Sequence, residues 1–225
     1  MAKSRKTYVA RDPAALGASV VLWQRLLIGA SAIDLISQIY RYDALSRLPP
    51  DTPVSFFETP PALDQMEAVT ALVSLPQIIV LAVSGFLTLK WLYRVTMNSH
   101  VLAEGVRISP PWAIGWYFVP FANLFKPFQA VADAWKISLD PAGWRGLETP
   151  GLLRWWWGLW LFVSALDNAS LRLDLRADSA ADARLVAGAD VLSAILWIPL
   201  SLLLIRILRR LTVQQSATLG VAAFS

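Results

Sequence analysis

The segment from Pro110 to Ser138 constrains the fold of this chain more than any other. It is apolar enough to enter a lipid bilayer, yet it contains four prolines, three tryptophans and two lysines. Proline removes a backbone donor and clashes with the preceding turn, and in hydrocarbon each freed polar group needs a partner inside the protein. We therefore predict a re-entrant or interfacial helical segment over 110–138 that does not span the membrane.

The composition is that of an integral membrane protein. Of the 225 residues 56% are hydrophobic and 16% are charged, and the apolar residues form runs separated by charged loops. Four runs approach the roughly 20 residues that a spanning helix needs. We predict an all-α, polytopic integral membrane protein with four transmembrane helices at about 19–40, 71–92, 150–170 and 185–207.

The basic residues decide the predicted topology, because cytoplasmic loops of membrane proteins carry an excess of Lys and Arg. With 110–138 on the cytoplasmic side, fourteen Lys and Arg lie inside and five outside, whereas a crossing would make the numbers ten and nine. We therefore predict that both termini are cytoplasmic. The domain organisation is a basic N-terminus at 1–18, a single membrane domain at 19–212 and a cytoplasmic tail at 213–225.

The order of residues from Lys90 to Ser138 resembles a known family. After the tetrapeptide WLYR, polar, proline and tryptophan residues follow at characteristic spacings: Asn98, Arg107, Ser109, Pro110, Trp112, Gly115, Trp116, Pro120, Asn123, Lys126, Pro127, Gln129 and Trp135. The tryptophans at 155–157 and the run RILRRLTVQQ at 206–215 extend the pattern. The chain is similar, over about Leu72 to Gln215, to the bacterial membrane family DUF4328, a domain of unknown function. The resemblance implies a multi-helix protein of the bacterial inner membrane and brings no established activity.

The break between Pro120 and Pro127 is the first candidate site. We expect the two prolines to end helices and Asn123 to bond backbone groups freed there. In an alternative interpretation the break is the polar site of a small transporter or channel component, because broken helices line transporter cavities. Residues 128–137 have the spacing of an interfacial amphipathic helix, with Asp133 off its apolar face.

Tryptophan is concentrated in the middle of the chain, since eight of the eleven lie between Trp112 and Trp160. Because tryptophan favours the membrane interface, we interpret most of them as an aromatic belt near the cytoplasmic headgroups. A pocket for a pigment, quinone or haem is the alternative, and the sequence identifies no cofactor beyond bound lipid. The predicted ligand- or lipid-binding residues are Trp112, Trp116, Asn123, Lys126, Gln129, Trp135 and Trp155.

Two acidic residues, Asp34 and Asp190, lie inside predicted spans. A lone ion in hydrocarbon is costly and usually marks function. One interpretation is structural, an acid that caps or pairs with an arginine at the outer surface: Arg172, Arg176 or Arg184. The other is an ion path that uses both acids.

The first loop is rich in proline around Phe56 and Phe57, which predicts an extended segment with little regular structure. It is either a plain connector or a partner-binding strap that uses the two phenylalanines.

Catalysis has little support in the sequence. The chain has no cysteine and a single histidine, His100, so it lacks thiolate chemistry and any site of two imidazoles. No Gly-rich phosphate loop or metal-ligand spacing is present, although the sequence is compatible with catalytic mechanisms that use Asp, Arg, Lys and water. The basic residues flank membrane helices, which suits anionic headgroups and not nucleic acid.

The function most consistent with these features is a non-catalytic accessory or scaffold subunit of a larger inner-membrane complex. Its expected partners are the phospholipid membrane and one or more proteins. The alternatives are the transporter or channel component, and a lipid- or cofactor-binding enzyme.

Overall fold

The computed structural model describes residues 8–54 and 60–222, and these form an all-helical protein, as the sequence predicts. The β pairing within them is one bridge, between Pro53 and Ser179. The α-helices of the described residues are α1 (Ala14–Ser46), α2 (Asp64–Leu102), α3 (Pro110–Gly115), α4 (Lys126–Leu139), α5 (Gly151–Asp174) and α6 (Ala180–Ala222). Short 3₁₀ turns lie at Pro61–Leu63, Trp116–Phe118, Ala122–Leu124 and Trp144–Gly146.

Three helices in the described part of the chain are long and apolar enough to cross a membrane: Ala14–Ser46, Asp64–Leu102 and Ala180–Gly220. They contain three of the four predicted spans and extend beyond them at both ends. Pro76 and Pro199 lie inside α2 and α6 without ending them. The predicted span at 150–170 coincides with α5, which is not among these three.

The apolar surface of α2 faces away from the rest of the protein. Only 6% of its most apolar window is buried, and Leu72, Ile79 and Phe86 are exposed. A soluble protein rarely leaves so many large apolar side chains of one helix in water. This exposed surface is what contact with hydrocarbon requires.

The chain divides into two compact units. Unit 1 comprises Met1–Leu22, Ser84–Trp157 and Leu204–Ser225, and unit 2 comprises Trp23–Val83 and Gly158–Leu203. The four long helices α1, α2, α5 and α6 each contribute residues to both units.

Unit 1 has α4 in its core. Fully buried residues from α2, α4 and α6 fill this core, among them Trp91, Ile137 and Leu211. The indole of Trp91 donates a hydrogen bond of 3.0 Å to Thr212 Oγ1. A β-carbon added at Gly17 would lie 2.7 Å from the same oxygen, so glycine is what lets α1 and α6 approach here.

The described residues of the predicted cytoplasmic tail at 213–225 belong to α6. Helix α6 continues to Ala222, and Gln215 within it is fully buried in unit 1. A polar side chain that finds buried hydrogen-bond partners is retained in the interior.

Unit 2 contains a second, smaller core. It packs Leu45, Leu63 and Met66 against alanines of α6, which are small enough for close helix contact: Ala180, Ala183 and Ala187. The start of the proline-rich loop is fixed to this unit, because Ala180 N donates to Thr52 O at 2.9 Å and Val54 N donates to Asp178 O at 3.2 Å. This part of the loop is therefore folded onto the α5–α6 turn.

Candidate functional site

The break between α3 and α4 exposes three phenylalanines. Phe118, Phe121 and Phe125 are 73%, 82% and 63% exposed, and we call these three residues the phenylalanine corner. The backbone φ of Phe121 is 61°, a left-handed conformation that residues other than glycine rarely adopt. Such strain persists only where the surrounding structure enforces it, and it clusters at functional sites.

Trp157 holds the corner in place. Its indole Nε1 donates to the Leu124 carbonyl at 2.9 Å. Its ring lies 6.3 Å from that of Tyr117 in an edge-on contact and 6.1 Å from that of Phe128. The structure buries Trp157 and leaves Trp155, which the sequence predicted to bind ligand or lipid, 77% exposed. A helix presents three successive residues to three different directions, so the run alone could not identify the residue that contacts the corner.

The prolines of the break act differently from the prediction that both end helices. Pro127 lies in the first turn of α4, where the missing backbone N–H costs no hydrogen bond, and so it starts a helix. Pro120 follows the 3₁₀ turn at Trp116–Phe118, as a helix-ending residue does. The Asn123 backbone N–H donates to Val119 O at 3.0 Å, and none of the described hydrogen bonds uses its side chain.

The other predicted binding residues fall into separate groups. Trp112 and Trp116 contact each other with ring centroids 4.4 Å apart. Lys126 Nζ lies 3.4 Å from Gln129 Oε1. Trp135 is buried in the core of unit 1, and Phe56 and Phe57 lie outside the described residues. The described contacts do not join these residues into one pocket.

Asp133 is buried and forms an ion pair, so its predicted place on the polar side of an interfacial helix is wrong. Arg107 contacts it with two hydrogen bonds, Nη2 to Oδ1 at 2.5 Å and Nε to Oδ2 at 3.1 Å. These bonds to the carboxylate raise the pKa of the Arg107 guanidinium. The amphipathic pattern had assigned every charged residue of α4 to water, whereas a carboxylate can be buried when it is paired.

Asp190 is bound to Arg41, and not to the predicted Arg172, Arg176 or Arg184. The Arg41 guanidinium lies 3.3 Å from Asp190 Oδ2 and 3.3 Å from Asp174 Oδ1, and Ser170 Oγ donates to Asp190 Oδ1 at 2.5 Å. Asp190 therefore pairs with an arginine, as its structural interpretation expects, but the arginine is Arg41.

Asp34 contacts amides and not a cation. Gln38 Nε2 donates to Asp34 Oδ1 at 3.3 Å, and the Gln77 amide nitrogen, oriented toward the carboxylate, lies 3.2 Å from both of its oxygens. These residues form a polar contact between α1 and α2 within unit 2. Within the described residues, no three His, Cys, Asp or Glu side chains are grouped to hold a metal ion.

A buried polar network in unit 1 was missed by the sequence reasoning. Asn98 is fully buried, donates through Nδ2 to Arg11 O and Gln215 Oε1, both at 2.8 Å, and accepts from Arg11 N at 2.9 Å. Gln215 Nε2 in turn donates to Val95 O at 3.0 Å and lies 3.4 Å from Ser138 Oγ. One sequence signal pointed to this network: Asn98 and Gln215 are both among the residues that carry the family resemblance.

These elements define an all-helical protein with three helices suited to cross a membrane. The family model described as Domain of unknown function (DUF4328) matches residues 57–213. The chain therefore belongs to the DUF4328 family, which confirms the resemblance. No curated protein and no solved structure matches the chain.

Proposed function

We propose that this chain is a non-catalytic accessory or scaffold subunit of a larger complex in the bacterial inner membrane. The phenylalanine corner is the surface that binds the protein partner. The single observation that supports this function most strongly is the exposure of three phenylalanines within eight residues of one strained, anchored segment.

The topology that we propose has four spans and cytoplasmic termini. Helix α5 has 24 residues, which at about 1.5 Å per residue exceeds the roughly 30 Å of the hydrocarbon core. Two exposed arginines, Arg209 and Arg210, follow the apolar part of α6, as the positive-inside rule expects for a cytoplasmic end.

A reporter fused after Trp144 should be cytoplasmic in this topology. An alkaline phosphatase fusion there is expected to be inactive and a green fluorescent protein fusion bright, because neither reporter matures on the wrong side of the membrane. Fusions after Asp51 are the matched control and should give the opposite pattern. Alkaline phosphatase activity after Trp144 would overturn the four-span arrangement.

Phenylalanine at the corner favours protein contact. Interfacial anchors usually carry a polar handle, as Trp and Tyr do, whereas phenylalanine has none. Aromatic side chains are enriched at the centres of protein interfaces, where they fill pockets of the partner. Trp157 and the backbone bonds of residues 119–125 fix the corner before binding, which reduces the entropy cost of association.

Truncation of the corner should release the partner. The triple variant Phe118→Ala, Phe121→Ala and Phe125→Ala is expected to migrate as a smaller species than the wild type when membranes at native expression are extracted in mild detergent. Three truncations of about 1–2 kcal/mol each reduce affinity at least a hundredfold. Blue native electrophoresis with detection of this chain measures the change.

The matched control truncates equally exposed apolar residues of α2, as Leu72→Ala, Ile79→Ala and Phe86→Ala, and should leave the complex intact. A wild-type chain that migrates only as a monomer would contradict the proposed function. So would a corner variant that remains in the full-size complex.

The transporter interpretation has less support. Its proposed ion path needs Asp34 and Asp190 available to an ion, but Arg41 and Ser170 bind Asp190 and two amides contact Asp34. The carboxylate oxygens that the path would need already have protein hydrogen-bond partners.

A further inference from the structure

Four residues of unit 1 surround a cavity of about 280 Å³: Arg107, Lys136, Trp144 and Arg145. They come from three places in the sequence, namely the loop after α2, the last turn of α4 and the 3₁₀ turn at Trp144–Gly146. The fold therefore gathers three cationic side chains and one indole that are distant along the chain. The proposed accessory function does not use any of them.

The positive charge of this cavity exceeds the negative charge that faces it. Asp133 is the carboxylate that contacts the group, and Arg107 occupies both of its oxygens. No described carboxylate lies within ion-pair distance of Lys136 or Arg145. At least two cations are thus available to an anion that enters the cavity.

The guanidinium groups are held in place before any ligand binds. Arg145 Nη2 donates to the carbonyls of Glu104 and Gly105, both at 3.3 Å, and its Cζ lies 4.9 Å from the centroid of the buried Trp144 ring. Asp133 fixes the Arg107 guanidinium by accepting two hydrogen bonds from it. Preorganised guanidinium donors match the geometry of phosphate oxygens.

We propose that Arg107, Lys136, Trp144 and Arg145 form a binding site for a phosphate-bearing anion. The volume lies near the lower end of roughly 300–1,000 Å³ that small-molecule pockets span, so the ligand is a phosphate group with few further atoms. Two sources supply such a group, the headgroup of an anionic phospholipid and free inorganic phosphate. Basic pockets at the cytoplasmic side of membrane proteins bind anionic headgroups by the same chemistry.

The test uses the full chain and two probes. Titration calorimetry in a zwitterionic detergent measures binding of inorganic phosphate. Native mass spectrometry after reconstitution in phosphatidylcholine nanodiscs, with and without phosphatidylglycerol, measures retained anionic lipid. Lys136→Gln and Arg145→Gln should each weaken binding of the recognised probe about tenfold, because each removes a charge-assisted contact.

Arg209→Gln is the matched control, since Arg209 is an exposed arginine of unit 1 outside the cavity, and its variant should bind as the wild type does. Binding of phosphate alone identifies the free ion, and retention of phosphatidylglycerol alone identifies the headgroup. The site is refuted if the wild type binds neither probe, if both cavity variants bind as the wild type, or if Arg209→Gln loses as much. Lys136→Gln removes no described side-chain contact, so a folded variant is available for the comparison.

Discussion

Arg41→Leu is expected to lower the free energy of unfolding by about 3–5 kcal/mol, the largest effect of any single substitution outside the apolar cores. The change leaves Asp174 and Asp190 without their shared cation while both remain largely buried in unit 2. An unpaired carboxylate in a low-dielectric surrounding is far more costly than the ion pair is favourable. Reversible unfolding in mixed detergent micelles, followed by tryptophan fluorescence, measures the loss.

Two further variants test this explanation. Arg47→Leu removes an arginine that pairs with Asp43 on the exposed surface, at 2.5 Å, and should cost less than about 1 kcal/mol. Addition of Asp190→Asn to Arg41→Leu should recover at least about 1 kcal/mol, because it removes one of the two orphaned charges. Equal losses for Arg41→Leu and Arg47→Leu would show that burial of the ion pair is unimportant.

Asn98→Leu is expected to destabilise the protein by about 2–4 kcal/mol, the second large effect. The leucine cannot replace the bonds to the Arg11 backbone and to Gln215, so buried donors and acceptors from two segments of unit 1 lose their partner. The same micelle unfolding assay measures the change. Asn168→Leu is the matched control, because the described hydrogen bond of the exposed Asn168 side chain goes to the Ser164 carbonyl of its own helix, and it should change stability by less than about 1 kcal/mol.

A double-mutant cycle separates the network from simple loss of packing. Asn98→Leu and Gln215→Leu share one hydrogen bond, so together they should cost less than the sum of the single changes by about 1 kcal/mol. Strict additivity of the two substitutions would contradict the network.

Much of the fold was predictable because apolar runs are a local signal. The predicted spans coincide with parts of α1, α2, α5 and α6, because a long apolar run is a local signal for a helix that can enter a membrane. Helix α6 continues past Ile207 to Ala222, and Gln215 in this extension is fully buried with hydrogen-bond partners, which an apolar run does not predict.

The polar contacts were not predictable from sequence, because they join residues that are far apart in the chain. Arg41 and Asp190 are separated by 149 positions, and Asn98 and Gln215 by 117. Periodicity identified Asp190 as an unusual residue inside a span but carried no information about its partner. The same limit explains Asp133, whose burial depends on Arg107, 26 positions earlier.

The predicted break in the helical structure of 110–138 is present, whereas the binding roles assigned to its residues stay predictions. The prolines and aromatic residues of 110–138 do form a broken helical segment, which the proline spacing predicted. Its exposed aromatic residues include Phe118, Phe121 and Phe125, which the pattern of Trp, Asn and Lys did not select, and Trp112, which it did. The positive φ of Phe121 is not encoded by the proline or tryptophan spacing.

Photo-crosslinking from the corner tests the proposed function most directly. A benzoylphenylalanine placed at Phe121 in the full chain, at native expression, should form one protein adduct of defined mass that disappears when Phe118 and Phe125 are also changed to alanine. The same probe at Ile78, an exposed apolar position of α2, should give only lipid adducts. If the probe at Phe121 also yields only lipid adducts, the corner is a membrane anchor and the accessory-subunit proposal is wrong.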